Sequence, residues 1–338
     1  MNLHLEQIKA LNVEASSKCT AKCPFCSRQQ KIRPYGPHII SFEAFKKLPA
    51  DMISRLRRIT FAGNFGDFST NPEMTDIAAY VKNLNPGVVL GGDTNGMVQS
   101  TEWWRALGSS FHDGGLIFSV DGLADTHALH RVGTDYHAVI RNMEAFIRGG
   151  GVAFWKFIVF AHNEHQVEAA ARIAEDIGCA GFKAITSRDY NDRLEPPRQI
   201  DVKLKREIFR DYADDEACAM CNPIGKGSIY LAADGTVHPC CFAHCMYITE
   251  HNRLFRFIVP LIDKYQDRIN FKTRSLAEIL SGPYFKAVLA ASETNPYCRM
   301  KCNVYKQKVR DELVVYERDF RDVGTMRDVS DDSVKQKG

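Results

Sequence analysis

Residues 10–26 of the chain read ALNVEASSKCTAKCPFC. The apolar beginning of this stretch is typical of a buried β-strand, and the cysteines that follow it, Cys19, Cys23 and Cys26, have the spacing C-x3-C-x2-C. Three thiolates on one loop can hold three irons of a [4Fe–4S] cluster and leave the fourth iron open to another ligand. A structural zinc site usually takes four protein ligands, and no fourth cysteine or histidine follows promptly. The spacing therefore favours an iron–sulfur cluster, with zinc as the alternative.

Short β-like runs alternate with helical patterns through the first two-thirds of the chain. Six runs are predicted strands: Ala10–Ala15, Arg58–Ala62, Val88–Thr94, Leu116–Val120, Ala153–Phe160 and Phe182–Ile185. The clearest helical patterns cover Tyr136–Arg148, which ends at three consecutive glycines, and Glu164–Ile177. Six β/α units imply a parallel sheet, but they are too few for a closed eight-stranded barrel, which takes ~250 residues. We therefore predict a partial (β/α)6 TIM-like barrel, in which ligands bind at the carboxyl ends of the strands.

The alternating pattern stops at a polar stretch, Asp189–Arg198, which contains two adjacent prolines and is predicted to be a linker. Beyond it, Ser228–His238 carries an Asp-Gly pair and is predicted to be a β-hairpin. Helical patterns then cover Leu254–Tyr265 and Leu276–Ala291. We therefore predict three units, namely a partial barrel over residues 1–198, a small C-terminal α+β domain of hairpin plus helix over 199–310, and an extension over 311–338 whose end is disordered.

The composition is that of an ordinary globular protein. The chain has 338 residues, and its 44 basic and 41 acidic residues give a net charge of +3, so no nucleic-acid or membrane partner is expected. The N-terminus lacks the basic start and apolar core of a signal peptide, and no apolar run approaches the ~18 residues of a membrane span. We therefore expect a soluble, cytoplasmic protein. In that reducing compartment, eleven cysteines indicate metal or redox chemistry rather than disulfides.

Seven cysteines are grouped in the second region: Cys218, Cys221, Cys240, Cys241, Cys245, Cys298 and Cys302. The predicted hairpin brings Cys221 and Cys240 together at its open end, and Cys298 and Cys302 supply two more thiolates after the helical segment. Four thiolates can complete an all-cysteine [4Fe–4S] site. A zinc site that pairs Cys218 and Cys221 with a second close pair is the alternative.

The first cysteine motif and several strand ends resemble the radical S-adenosylmethionine (radical SAM) superfamily. The motif C-x3-C-x2-C after the first strand, with Phe25 before the last cysteine, is the defining feature of that family. Later strand ends are similar to its SAM-binding loops: Gly63-Asn-Phe-Gly-Asp67 after the second strand, Thr94-Asn95 after the third, Ser119-Val-Asp121 after the fourth, and Arg131 in the segment that follows. The resemblance covers about residues 8–190.

This resemblance implies that the first three cysteines hold a [4Fe–4S] cluster whose open iron binds SAM. It also implies SAM contacts from the strand-end loops, namely Gly63, Asn64, Gly66, Asp67, Thr94, Asn95, Ser119, Asp121 and Arg131. Glycines allow close backbone approach, and backbone carbonyls or an acid can accept hydrogen bonds from the SAM ammonium. The usual Glu of the second-strand segment is absent, and Asp67 lies nearby. Arg131 can pair with the SAM carboxylate through its planar guanidinium.

The second cysteine group resembles the auxiliary-cluster domain of that superfamily, called SPASM in its full form and Twitch in its shorter form. The full form has a Cx2Cx5Cx3C run after the hairpin, whereas this chain has Cys241 and Cys245 directly after Cys240. The resemblance therefore implies a shortened domain with one auxiliary [4Fe–4S] cluster on Cys221, Cys240, Cys298 and Cys302. Cys218 competes for a ligand position, and two auxiliary clusters are the other possibility.

The function that the resemblance implies is that of an enzyme in which one electron cleaves SAM to methionine and a 5′-deoxyadenosyl radical, which abstracts a substrate hydrogen atom. The electron would come from an external donor such as flavodoxin or ferredoxin. The predicted reaction is oxidation (dehydrogenation) or epimerisation of a small molecule such as a sugar or aminocyclitol, because the barrel begins by about residue 10, with no peptide-binding domain before it. Maturation of a peptide or protein side chain is the alternative, and a zinc-stabilised binding module is the hypothesis of another class.

Overall fold

The structure is a computed structural model that describes residues 3–200, 221, 225–249, 256–295, 298 and 314–320. Strands in these residues are β1 (Ala10–Val13), β2 (Arg58–Phe61), β3 (Val89–Thr94), β4 (Gly115–Ser119), β5 (Ala153–Val159), β6 (Gly181–Thr186), β7 (Ser228–Leu231), β8 (Val237–His238) and β9 (Val314–Asp319). Hydrogen bonds join them into one sheet with the order β8-β7-β1-β2-β3-β4-β5-β6-β9.

Helices connect and cover the strands. They are α1 (Phe42–Phe45), α2 (Ala50–Ile53), α3 (Met74–Leu84), α4 (Thr101–Gly108), α5 (His127–His130), α6 (Tyr136–Arg148), α7 (Val167–Asp176), α8 (Cys241–Thr249), α9 (Ile258–Tyr265), α10 (Leu276–Ser281) and α11 (Pro283–Thr294). Short 3-10 turns lie at Leu5–Gln7, Ser27–Gln30, Phe68–Thr70, Glu164–Gln166 and Gln266–Arg268. No helix among the described residues is long and apolar enough to cross a membrane.

The first six strands confirm the predicted partial barrel. Strands β1 to β6 pair in parallel and in chain order, and each begins and ends within about two residues of its prediction. Helix α6 has its predicted bounds and begins where the Asp135 carboxylate accepts a hydrogen bond from the Ala138 amide at 2.6 Å. Because the strands run in parallel, their carboxyl ends form a single rim, and the loops that carry the predicted SAM contacts begin there.

Both edges of this parallel sheet are covered by strands from the second half of the chain. The predicted hairpin, β7 and β8, is present, but β7 pairs in parallel with β1 and so extends the barrel sheet. At the opposite edge, β9 pairs antiparallel with β6 within the segment predicted as a C-terminal extension, where sequence analysis predicted no strand. An uncovered edge would leave a row of backbone N–H and C=O groups unpaired, which explains why both edges recruit a strand.

The sheet has an outer face that helices cover and an inner face on the opposite side. On β4, Leu116 and Phe118 belong to the main core together with Trp104 of α4 and Phe146 of α6. Alternate residues point to the inner face, where Ile117 joins a separate buried apolar cluster with Val152, Phe154 and Ala180. This second cluster closes the inner face near the amino ends of the strands.

The helical part of the second region differs from its prediction in one respect. The helix predicted over Leu276–Ala291 is two helices, because α10 ends before Gly282 and Pro283 begins α11. A capping box between Ser275 and Glu278 fixes the start of α10. The helix predicted from Leu254 is described from Ile258 onward. The disordered end predicted for the extension lies outside the described residues.

Candidate functional site

The first cysteine loop leaves the carboxyl end of β1 and is fastened to neighbouring loops. The Arg28 guanidinium donates to the Cys19 carbonyl at 3.1 Å and also to the Ala21 carbonyl. The Lys22 amide donates to the Val132 carbonyl at 2.7 Å, which ties the loop to the segment after β4. The thiols of Cys19, Cys23 and Cys26 are free of disulfides and partly exposed. The three cysteines of the motif therefore lie on a loop at the rim of the barrel that hydrogen bonds to Arg28 and Val132 fix in position.

Two N–H donors from later strand ends reach the sulfurs of this loop. Asn95 Nδ2 lies 3.4 Å from Cys19 Sγ, and Arg131 Nη1 lies 3.8 Å from Cys23 Sγ. Burial raises the pKa of Cys19 to about 11, with a further contribution from Asp67. Burial also raises the pKa of Cys23, against the opposing charge of Arg131. A buried thiolate needs positive charge nearby to balance its own charge. The irons of a cluster and these two N–H donors would supply it.

A buried ion pair holds Arg131 in position. Its Nε donates to Asp121 Oδ2 at 2.5 Å, and His130 Nδ1 lies 2.7 Å from the same oxygen. The other Asp121 oxygen accepts from the Ile158 amide at 2.7 Å. Burial raises the pKa of Asp121, but Arg131 and His130 outweigh it and hold that pKa below its ordinary value. The carboxylate is therefore ionised, and it links the ends of β4 and β5 to Cys23 through Arg131.

Asp67, predicted as a SAM contact, points into the protein. Its fully buried carboxylate accepts from Ser69 N and Oγ, from Thr94 Oγ1 at 2.9 Å and from Asn95 N at 2.6 Å. Burial raises the pKa of Asp67 against these donors. The carboxylate thus orients the Thr94–Asn95 segment whose Asn95 amide reaches Cys19. Gly66 allows the loops to approach, since a Cβ there would lie 1.9 Å from the Ser16 carbonyl oxygen.

Asn64, the other polar side chain of that segment, points toward the second region of the chain. Its Nδ2 donates to the Tyr230 hydroxyl at 3.1 Å and to the Cys241 carbonyl at 2.9 Å. Ser119, by contrast, lies buried on the inner face of β4 as the register partner of Lys156. The structure therefore brings the predicted SAM loops together around the cysteine loop, with Asn64 and Asp67 committed to contacts inside the protein.

Glu14 is a buried residue of this site that sequence analysis missed. Its carboxylate accepts from the Phe65 amide at 2.7 Å and from the Tyr35 hydroxyl at 2.8 Å, and the Ala233 amide lies 3.5 Å away. Burial raises the pKa of Glu14 to about 6. A Cβ at Gly63 would lie 2.7 Å from the Glu14 side chain, so that glycine makes room for it. An acid inside the apolar run ALNVEA was the available signal.

Three of the four predicted auxiliary ligands lie in the described residues. Cys240 directly precedes α8, Cys221 precedes the hairpin, and Cys298 follows α11; each is partly exposed and outside any disulfide. Burial raises the pKa of the fully buried Tyr284 hydroxyl, and the charges of Cys240 and Cys221 raise it further. Cys302 and its competitor Cys218 lie outside the described residues.

Helix α8 contacts both cysteine sites. It begins at Cys241, beside Cys240, and its Cys245 thiol is buried near Ser27 and Cys26 of the first loop. Between them, the His244 ring is packed edge-on against Tyr35 with a centroid distance of 4.7 Å. Within the described residues, no three His, Cys, Asp or Glu side chains are grouped to hold one metal ion, whereas the cysteines of a cluster bind separate irons.

Comparisons with protein families agree with this arrangement. The model for the radical SAM superfamily matches residues 13–174, and the model for the SPASM iron–sulfur cluster-binding domain matches residues 218–303. The site therefore defines an enzyme of radical SAM type. The chain belongs to the radical SAM superfamily and carries a C-terminal SPASM-type domain, so its cofactors are SAM and [4Fe–4S] clusters. No curated protein matches the chain.

Solved structures share the fold at low sequence identity. SuiB from Streptococcus suis, bound to S-adenosylmethionine, is 11% identical with a TM-score of 0.55, and the match covers 88% of this chain and 71% of that one. The native anSMEcpe structure with bound AdoMet is 16% identical with a TM-score of 0.50, covering 90% of this chain and 95% of that one. These similarities confirm the predicted fold, a partial TIM-like barrel followed by a C-terminal domain.

Proposed function

We propose that this enzyme reductively cleaves SAM on the first cysteine site and oxidises or epimerises a small molecule. The observation that carries the proposal is the convergence of Asn95 and Arg131 on the sulfurs of Cys19 and Cys23. When bound, the reduced cluster supplies an electron that splits SAM into methionine and a 5′-deoxyadenosyl radical, which takes a hydrogen atom from the substrate. The chain's own residues fix the position of the cluster loop relative to the predicted SAM loops.

Individual residues have distinct parts in this proposal. Cys19, Cys23 and Cys26 hold the first cluster. Backbone groups of the Gly63–Asp67 loop and of Thr94, with polar groups of Asn95 and Ser119, face SAM, while the Thr94 hydroxyl stays bonded to Asp67. Arg131, held by Asp121, lies close enough to the cluster loop to attract the SAM carboxylate. Cys221, Cys240, Cys298 and Cys302 would hold the auxiliary cluster, which would supply an electron acceptor for a net oxidation of the substrate.

The proposal also includes an electron-donor protein and a location of the enzyme in the cell. An external one-electron donor such as flavodoxin or ferredoxin supplies the electron for SAM cleavage. We assign the enzyme to the reducing cytoplasm, which suits cysteines that bind metal rather than form disulfides.

A second candidate function is modification of a peptide side chain. Some of the similar structures contain peptides: SuiB was solved with the precursor peptide SuiA, and anSMEcpe with the Cp18Cys peptide. Sequence identities of 11% and 15% show a shared fold but not a shared substrate, so the substrate of this chain has to be tested directly.

The proposal is tested by anaerobic reconstitution with iron and sulfide, followed by SAM and dithionite. We expect iron–sulfur absorption in the visible region and release of 5′-deoxyadenosine. Cys26→Ala should abolish 5′-deoxyadenosine release and remove about half of the bound iron, since the auxiliary cluster remains. Cys179→Ala is the control, because that thiol is buried beside Met143 in the core. A protein that binds zinc, lacks this absorption and releases no 5′-deoxyadenosine would be a zinc-stabilised module instead.

A further inference from the structure

A row of polar side chains crosses the inner face of the sheet just below the carboxyl rim. Strand register places Ser119 of β4 beside Lys156 of β5, Lys156 beside Lys183 of β6, and Lys183 beside Glu317 of β9. Register partners on neighbouring strands point to the same face. Two lysines thus lie next to each other on a surface where like charges repel.

Each lysine of this row is paired with its own carboxylate. Lys156 Nζ lies 2.6 Å from Asp93 Oδ1 on β3, and Lys183 pairs with Glu317. The two pairs differ in access: the side chains of Lys156 and Asp93 are 24% and 35% exposed, while those of Lys183 and Glu317 are 9% and 24% exposed. The Lys156–Asp93 pair is therefore the more accessible of the two, since a bound molecule can reach both of its side chains.

This pair lies between an apolar floor and the predicted SAM loops. Asp93 is the register partner of Ile117, which belongs to the buried apolar cluster that closes the inner face. Lys156 is the register partner of Ser119, a predicted SAM contact. A molecule in contact with the pair would therefore lie above this buried cluster and next to a predicted SAM contact. None of the contacts that hold the cluster loop uses Lys156 or Asp93.

We propose that Lys156 and Asp93 anchor the substrate and select a neutral, hydroxyl-rich small molecule. The inference rests on the proposed function, whose substrate class it narrows. Because both charges of the pair are already balanced, an ionic group bound there would add an uncompensated charge in a partly desolvated place. A hydroxyl group both donates and accepts, so it can bond to Asp93 and Lys156 together, and the lysine ammonium still has donors to offer.

The experiment measures 5′-deoxyadenosine release with SAM, dithionite and one of three probes. The probes are myo-inositol, which is neutral, glucuronate, which is anionic, and glucosamine, which is cationic. Release without any probe reports the proposed function separately from this inference. We expect myo-inositol to raise the wild-type rate more than either charged sugar, by about tenfold, which corresponds to the cost of one poorly compensated charge.

Single substitutions should change the preferred charge in opposite directions. Asp93→Asn leaves Lys156 unbalanced and should move the preference toward glucuronate, whereas Lys156→Gln leaves Asp93 unbalanced and should move it toward glucosamine. Lys82→Gln is the matched control, because Lys82 pairs with Asp113 at the same distance of 2.6 Å elsewhere in the molecule. The proposal is overturned if no neutral preference is seen, if no probe raises the rate, or if both variants keep the wild-type preference.

Discussion

The two cysteine sites are held in place by different means. At the first site, two side chains from the segments after β3 and β4 reach the loop, with Asn95 on Cys19 and Arg131 on Cys23. A carboxylate behind each donor, Asp67 or Asp121, fixes its segment. The surroundings of the Cys19 and Cys23 sulfurs thus depend on two buried carboxylates.

At the second site, strand pairing and aromatic packing hold the structure in place. Strand β7 pairs with β1, and the buried His238 ring bonds to the Tyr284 hydroxyl at 2.9 Å while stacking on His244 at 5.2 Å. Burial lowers the pKa values of His238 and His244 to about 3, so both rings are neutral. We infer that the first site is sensitive to loss of a single charge, whereas the second depends on many smaller contacts.

The strongest challenge to this comparison is Arg131→Met. It leaves the Asp121 carboxylate buried without its main cationic partner, which should lower the free energy of unfolding by about 3–5 kcal/mol. We expect loss of the first cluster and of 5′-deoxyadenosine release, with the auxiliary cluster signal retained in electron paramagnetic resonance (EPR). Adding Asp121→Asn should restore part of the stability, because the buried charge is then gone.

The control for that prediction is Arg148→Met. Arg148 pairs with Glu144 at 2.8 Å, but its side chain is 65% exposed, so the change in stability should stay below about 1 kcal/mol. Equal losses for the two arginine variants, or simultaneous loss of both clusters, would show that the first site does not depend on its buried charge.

Sequence reasoning located the framework of both sites more accurately than the direction of their side chains. Strand positions follow from apolar periodicity, and the cysteines follow from spacing, since both signals are local. Whether Asp67 faces SAM or the protein depends on the Thr94 loop, which comes 27 residues later in the chain. Strand β9 was missed because its extended conformation depends on pairing with the edge of β6, which is not visible in six residues of sequence.

Glu14 connects the two sites and predicts a pH dependence. Its pKa is about 6 in the folded protein against 4.5 as the ordinary value, so the folded state binds more protons between these pH values, and stability falls as pH rises through that window. Above it, the buried charge costs roughly 2 kcal/mol. Glu14→Gln should therefore melt higher than wild type above pH ~6, and the gain should vanish below pH ~4.5. A gain that does not vary with pH would contradict burial of an ionisable carboxylate between the sites.

The smallest effect is expected from Asn64→Ala, which separates two roles for this residue. Its amide bridges the Tyr230 hydroxyl and the Cys241 carbonyl, and each bond is worth about 1 kcal/mol. If Asn64 links the sites, the auxiliary cluster's EPR signal should change while SAM affinity shifts by less than about threefold. Asn85→Ala is the matched control, because its amide also donates two hydrogen bonds, here to two carbonyls at 3.0 and 2.8 Å on the helical side of the sheet. A loss of SAM affinity of about tenfold with an unchanged EPR signal would instead make Asn64 a SAM ligand, as its sequence position predicts.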